Sequence, residues 1–177
     1  MTAPKVEHCT VAKRVLRYVK GTLDFGVLYS RSKDLRLCGF TDSNWAGFVD
    51  DKKSTFGYVF SLGMGGVTWT DKKHHVVSLS STKAEYQGAL KGACEAVWLN
   101  RMLSDMQMQQ RELTPLFCDN QGVMKLAKNP VFHERTKHVD TYYHFIRQLV
   151  EDGTIELQYC PTEDQTADIF IWVPKNM

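Results

Sequence analysis

Hydrophobic and polar positions follow two different periods along this chain, and the helical period comes first. Over residues 10–23 apolar side chains recur at helical spacing with basic side chains between them, which predicts an amphipathic helix ended by Gly21. The apolar face of this helix needs a partner, either the core of the same domain or a preceding domain. Residues 25–29 predict a short strand after it.

Three strands with short connections are predicted next. Residues 35–41, 57–62 and 66–70 are the predicted strands, and the glycines between the last two suit a tight hairpin. Hydroxyl side chains at residues 80–82 then predict the start of the longest helix, which continues to Met106.

The second half of the chain alternates strands with helices. Strands are predicted at 114–118 and 155–159, and helices at about 121–128, 136–151 and 162–170, with Asn129-Pro130 between the first two helices. Consecutive strands joined by hairpins pair antiparallel, whereas strands separated by helices pair parallel. The predicted fold is therefore α/β, with a mixed five-stranded sheet of three antiparallel and two parallel strands flanked by helices.

Composition narrows the class of protein. The chain has 177 residues, enough for one domain with a short extension, and 43% hydrophobic and 24% charged residues, typical of a globular protein. No apolar run approaches the roughly 18 residues of a membrane span, and the first residues lack the apolar core of a secretory signal. We therefore expect an intracellular protein. Five cysteines without a CxxC pair suggest neither a disulfide framework nor a zinc site.

Four carboxylates stand beside apolar elements, and they suggest a chemistry. Asp42 and Asp119 come where predicted strands end, Glu85 lies near the start of the long helix, and Asp168 lies in the last helix. If the first and fourth strands are neighbours, the two aspartates repel each other unless divalent cations neutralise them. Carboxylates select hard ions such as Mg²⁺ or Mn²⁺, and a pair of such ions suits phosphodiester hydrolysis. Taken alone, Glu85 is better explained as a capping-box residue.

Other polar and aromatic residues have simpler explanations. His133 and His138 are five residues apart, whereas a zinc protease helix needs a spacing of four, so this class is rejected. Trp45, Trp69 and Trp98 are predicted to be core aromatics. The net charge of +2 is not diagnostic, but lysines and arginines cluster beside turns and would suit a phosphate backbone if they share one face.

The motifs around the four acids resemble the ribonuclease H domain of copia-type LTR retrotransposon polyproteins, from the N-terminal helix almost to the end of the chain. The matching segments are Thr-Asp42-Ser-Asn-Trp-Ala-Gly, Ser80-Ser-Thr-Lys-Ala-Glu85-Tyr, Cys-Asp119-Asn-Gln, Arg-Thr-Lys-His138-Val-Asp140 and Cys-Pro-Thr-Glu-Asp-Gln-Thr-Ala-Asp168-Ile-Phe. The chain departs from the family after Phe170, where Thr-Lys-Pro is usual and Ile171-Trp172-Val173-Pro174 is found.

The resemblance implies a domain organisation and an activity. Residues 1–30 correspond to the segment that connects reverse transcriptase to ribonuclease H, and residues 31–177 to the ribonuclease H domain. The implied activity is cleavage of the RNA strand of RNA/DNA hybrids with two Mg²⁺ ions, for which Mn²⁺ substitutes. The implied partners are the hybrid and the reverse transcriptase domain of the same polyprotein, without a membrane, in a cytoplasmic virus-like particle or the nucleus.

Residue roles follow from the same resemblance. Asp42, Glu85, Asp119 and Asp168 match the catalytic and metal-binding acids, with Asp42 bridging both ions. The predicted nucleic-acid contacts are Ser43, Asn44, Ser81, Thr82, Asn120, Gln121, Arg135, Lys137 and His138. For Asn120 and Gln121 a helix-capping role is an equal alternative, and for His138 a capping or packing role is favoured over chemistry. Two other functions stay open, namely a domesticated module that binds hybrids without cutting them and a nuclease of the same superfold with another substrate.

Overall fold

A five-stranded sheet forms the centre of the computed structural model, which describes residues 5–31, 35–45, 52–74, 77–78, 80–128 and 137–171. The strands are β1 (Leu37–Asn44), β2 (Thr55–Leu62), β3 (Gly65–Lys73), β4 (Thr114–Cys118) and β5 (Ile155–Tyr159). Their spatial order is β3-β2-β1-β4-β5. β1 pairs antiparallel with β2 and β2 with β3, whereas β1 pairs parallel with β4 and β4 with β5. The predicted mixed sheet is confirmed.

Helices cover both faces of this sheet. The helices are α1 (Val6–Gly21), α2 (Ser81–Asp105), α3 (Gln121–Lys128), α4 (Lys137–Glu151) and the short α5 (Asp168–Ile171), with a 3₁₀ turn at Thr162–Asp164. The long α2 packs on one face over β1. The other face meets α5, because a Cβ on Gly57 of β2 would touch Phe170 and Ile171. Within the described part of the chain, no helix is both long and apolar enough to cross a membrane.

Small residues allow α2 to approach β1 closely. A Cβ on Gly92 would lie 3.4 Å from the Thr41 Cβ, and one on Gly88 would lie 3.4 Å from the backbone oxygen of Asp42. The neighbouring alanines Ala89, Ala93 and Ala96 are fully buried. Since no large side chain separates the helix from the strand, the start of α2 is held beside the end of β1.

Several predicted boundaries are wrong. Residues 25–29 form no strand, although Tyr29 packs on Gly65 and donates a 2.5 Å hydrogen bond to the Gly66 carbonyl. The first helix begins at Val6 rather than residue 10, and none of its residues is buried. The predicted last helix is divided into the 3₁₀ turn and α5, because Gln165 adopts an extended conformation between them.

The three tryptophans are not core residues, contrary to the prediction. Trp45, Trp69 and Trp98 are 48%, 58% and 55% exposed. Trp69 points away from α2 because residues alternate between the two faces of β3, and Trp98 lies on the outer side of its helix. The Trp45 indole instead donates a hydrogen bond of 2.9 Å to the Ser78 carbonyl, so its polar edge has a specific partner.

Candidate active site

Asp42 and Asp119 are brought level with each other by the parallel pairing of β1 with β4. Gly39 pairs with Leu116 and Phe40 with Phe117. If this register is continued to the ends of both strands, Asp42 lies beside Asp119. Asp42 lies within β1 rather than after it, since the strand continues to Asn44, and it is 5% exposed.

Glu85 comes from α2 and faces the sheet. The cap of this helix is Ser80, whose hydroxyl oxygen accepts a 3.2 Å hydrogen bond from the Lys83 backbone N–H. A capping box needs its glutamate at the position that Lys83 occupies, so this alternative for Glu85 is excluded. Glu85 is 8% exposed, and its Oε2 is buried without a hydrogen-bond partner. A buried carboxylate oxygen without a donor is costly unless a cation fills the space beside it.

Asp168 is the first residue of α5, and the turn before it is fastened to β1. The Gln165 side chain, which is 4% exposed, donates to the Thr41 carbonyl at 3.1 Å and accepts from the Ala167 N–H at 3.2 Å. Asn44 donates a further hydrogen bond of 3.2 Å to the Ile171 carbonyl. These contacts hold the helix that carries Asp168 against the strand that carries Asp42.

Asp42 is at the electrostatic centre of the four acids. Burial, followed by the charge of Asp119 and, more weakly, that of Asp168, raises the pKa of Asp42 from 3.8 to about 7, although the Ser43 N–H, 2.6 Å from its Oδ1, opposes this rise. Burial and the charges of Asp42 and Asp119 raise the pKa of Glu85 to about 9. Ionising all four acids together therefore requires added positive charge.

The donor set fits hard divalent cations. All four groups offer carboxylate oxygens, and one of these, Glu85 Oε2, has no hydrogen bond. Asp119 is further oriented by the Thr162 hydroxyl, which donates to its Oδ2 at 3.1 Å.

Cys118 is a neighbour of the site, and the sequence analysis did not include it among the candidate site residues. Ligand atoms of Glu85, Cys118 and Asp119 lie within 4.8 Å of one another. The thiol is fully buried, and its burial raises the pKa of Cys118, so it stays neutral. The signal in the sequence was its position directly before Asp119. Its sulfur accepts a 3.5 Å hydrogen bond from the Asn120 N–H.

The predicted nucleic-acid contacts fall into three groups. The buried Ser43 hydroxyl donates to the Thr55 carbonyl, and Asn120 Oδ1 accepts from the N–H groups of Gly122 and Val123, so it caps α3. Asn44 is directed to α5, as described above. Ser81 and Gln121 are exposed, and Thr82 is half-buried beside Gly122. Arg135 lies outside the described residues, and Lys137 and His138 are described only by their backbone.

Comparisons with known proteins agree with this architecture. No protein-family model matches the chain. The chain is 39% identical over 168 residues to the retrovirus-related Pol polyprotein from transposon RE2 of Arabidopsis thaliana. The aligned segment covers 95% of this chain but only 12% of the polyprotein. The chain thus spans about an eighth of the length of that relative.

Solved structures show the same fold. The N-terminal ribonuclease H domain of rv2228c from Mycobacterium tuberculosis superposes with a TM-score of 0.57, at 14% identity over 77% of this chain and 91% of that one. LC11-RNase H1, solved in complex with an RNA/DNA hybrid, gives 0.55 at 9% identity, over 77% of this chain and 94% of that one. The five-stranded sheet is therefore a ribonuclease H fold, as expected.

Proposed function

We propose that this chain, which has a ribonuclease H fold and is a homologue of the retrovirus-related Pol polyproteins of copia-type transposons, hydrolyses the RNA strand of RNA/DNA hybrids. The observation that carries the proposal is the gathering of Asp42, Glu85, Asp119 and Asp168 at one edge of the sheet. Burial and mutual repulsion raise the pKa values of two of them, as expected of a site that holds cations.

In this proposal the carboxylates of Asp42, Glu85, Asp119 and Asp168 would hold Mg²⁺. The bound ions would supply an activated water and stabilise the leaving oxygen of the phosphodiester. The chain itself supplies orientation. Thr162 fixes the rotation of the Asp119 carboxylate, the Ser43 N–H fixes that of Asp42, and Gln165 anchors the turn before Asp168.

The proposed substrate and partners extend beyond the four acids. LC11-RNase H1 was solved with an RNA/DNA hybrid, and a comparable hybrid on this chain would lie over the exposed Ser81 and Gln121. Arg135, Lys137 and His138 stay predicted contacts. We further propose that residues 1–30 connect to a reverse transcriptase domain of the same polyprotein, and that the protein acts in a virus-like particle or the nucleus.

Cleavage of a labelled RNA/DNA hybrid tests the proposed function. We expect Mg²⁺-dependent cleavage by the unaltered protein and its loss in Asp119→Asn. Asp71→Asn is the matched control, because this exposed residue of β3 lies in the same cross-strand row as Asp42 and loses the same charge.

Each other outcome has a stated meaning. Unchanged cleavage by Asp119→Asn refutes the assignment of the site. Hybrid binding by the unaltered protein without turnover in Mg²⁺ or Mn²⁺ supports the binding-only module, and cleavage of plain duplex DNA supports a nuclease of another substrate class.

A further inference from the structure

A groove separate from the four acids lies between β3 and α2. Its volume is about 500 Å³, and it is open to solvent along the side of the sheet that α2 covers. Its floor contains the aromatic residues Phe56 and Tyr58 of β2. Its rims carry Lys72 and Lys73 from the end of β3 and Lys91 from α2. A groove lined from both sides by lysines suits an anionic ligand.

Charge is distributed unevenly along this lysine groove. Glu95 accepts hydrogen bonds from the Tyr58 hydroxyl at 3.1 Å and the Thr68 hydroxyl at 3.3 Å, so its carboxylate is held at the end of the groove near Thr68. The exposed Lys72 lies further along β3, and neither it nor the exposed Lys91 forms an ion pair within the described ranges. The groove therefore has a net positive charge, since Lys72, Lys73 and Lys91 line it and Glu95 is the carboxylate among its lining residues.

The end of the lysine groove that carries Lys72 lies on the same edge of the sheet as the candidate active site. Ser43, which follows Asp42, pairs with Phe56, and Phe56 pairs with Lys72. Neighbouring strands are about 4.8 Å apart, so the Lys72 backbone lies about 10 Å from that of Ser43. A nucleic-acid strand that runs along this edge of the sheet rises about 3.4 Å per nucleotide along its axis, so it would span this separation in about three nucleotides.

We propose that the lysine groove binds a backbone phosphate of the substrate about three nucleotides from the scissile bond, through Lys72 and Lys91. This inference rests on the proposed function and adds a second point of contact outside the four acids. Two cations on one phosphate would fix the register of the strand relative to Asp42, because phosphate contacts position a nucleic acid without reading its sequence.

The test is hybrid binding by Lys72→Ala/Lys91→Ala, measured by fluorescence anisotropy with Ca²⁺ in place of Mg²⁺ over a range of salt concentrations. Lys13→Ala/Lys20→Ala removes the same charge from the exposed helix α1 and is the control. We expect the groove variant to bind about tenfold more weakly, with the slope of log affinity against log salt reduced by about one, since each phosphate contact contributes about 0.9. An unchanged slope, or the same loss in the control, overturns the proposal.

A phosphate-by-phosphate scan locates the contact. In hybrids with one phosphate neutralised as a methylphosphonate, we expect the unaltered protein to lose affinity at a position two to four nucleotides from the cleavage site, and the groove variant to be insensitive there. Equal sensitivity of both proteins at every position refutes the contact. If inorganic phosphate or a mononucleotide binds the groove and the lysine changes leave hybrid binding intact, the site serves a free phosphate and the proposal is wrong.

Failure of this inference is distinct from failure of the proposed function. If the unaltered protein binds and cleaves the hybrid while the groove variant behaves identically, only the groove assignment fails. If the unaltered protein binds no hybrid at all, the proposed function itself fails.

Discussion

Replacing Asp42 with asparagine should stabilise the metal-free protein at alkaline pH. The buried carboxyl has a pKa raised from 3.8 to about 7, first by burial and then by the charge of Asp119. The folded protein therefore retains a proton that the unfolded chain releases. Because of this difference, the contribution of protonated Asp42 to the free energy of unfolding is fully present below about pH 4. It is lost as the pH rises through about 7. Asparagine has the shape of the protonated acid and never ionises, so it avoids this loss.

The size of the effect follows from the shift. For a carboxyl whose pKa rises from 3.8 to about 7, the loss of stability on ionising is ~4 kcal/mol, because a tenfold change in proton affinity corresponds to ~1.4 kcal/mol. This is an upper bound, because part of the shift comes from the charges of Asp119 and Asp168, and solvent and salt screen such charges. We expect Asp42→Asn to gain about 2 to 4 kcal/mol in free energy of unfolding at pH 8 and almost nothing at pH 3. The Ser43 N–H keeps an acceptor in the variant.

The assay is urea denaturation in EDTA at several pH values, for the unaltered protein, Asp42→Asn and the exposed control Asp71→Asn. The stability of the unaltered protein should fall between pH 4 and 8, and that of Asp42→Asn should fall less. Adding Mg²⁺ at pH 8 should stabilise the unaltered protein more than Asp42→Asn. Equal stabilities of Asp42→Asn and the unaltered protein at pH 8 in EDTA would refute the reasoning, because Asp42 would then carry no electrostatic penalty.

Two further predictions concern the groups that position the acids. Gly39→Ala should destabilise the fold by roughly 1 to 3 kcal/mol, because its Cβ would lie 2.3 Å from the Phe60 ring, whereas Gly66→Ala, with nothing within 4 Å, should be near neutral in the same denaturation experiment. Gln165→Leu should reduce hybrid cleavage on the order of tenfold or more, because it frees the turn before Asp168. Cleavage at the unaltered rate by a folded Gln165→Leu protein would show that this anchor is unnecessary.

Patterns local in sequence predicted most of the fold. The strands were recognised from short apolar or alternating segments with turn residues beside them, and the pairing followed from whether a hairpin or a helix joined the strands. The four acids were recognised because each stands beside such an element. The family resemblance then assigned all four acids to one metal-binding site. The parallel register of β1 and β4, which places Asp42 beside Asp119, is consistent with this assignment.

The missed features depend on contacts between distant residues. Residues 25–29 have the composition of a strand, but Tyr29 uses its side chain to contact β3 while its backbone joins no ladder. The tryptophans were assigned to the core by residue type alone, and exposure depends on which face of an element reaches the sheet. The position of Cys118 beside Glu85 follows from the close packing of α2, which no local pattern reveals.

The pairing of β1 with β4 also has a kinetic consequence. These strands are far apart in sequence, so their contact carries a large loop-closure cost. We therefore expect Asp42 and Asp119 to meet late in folding. Repulsion confined to the finished fold speeds unfolding more than it slows folding. A cation bound between these acids would then mainly lower the rate of unfolding, which lengthens the lifetime of the folded protein.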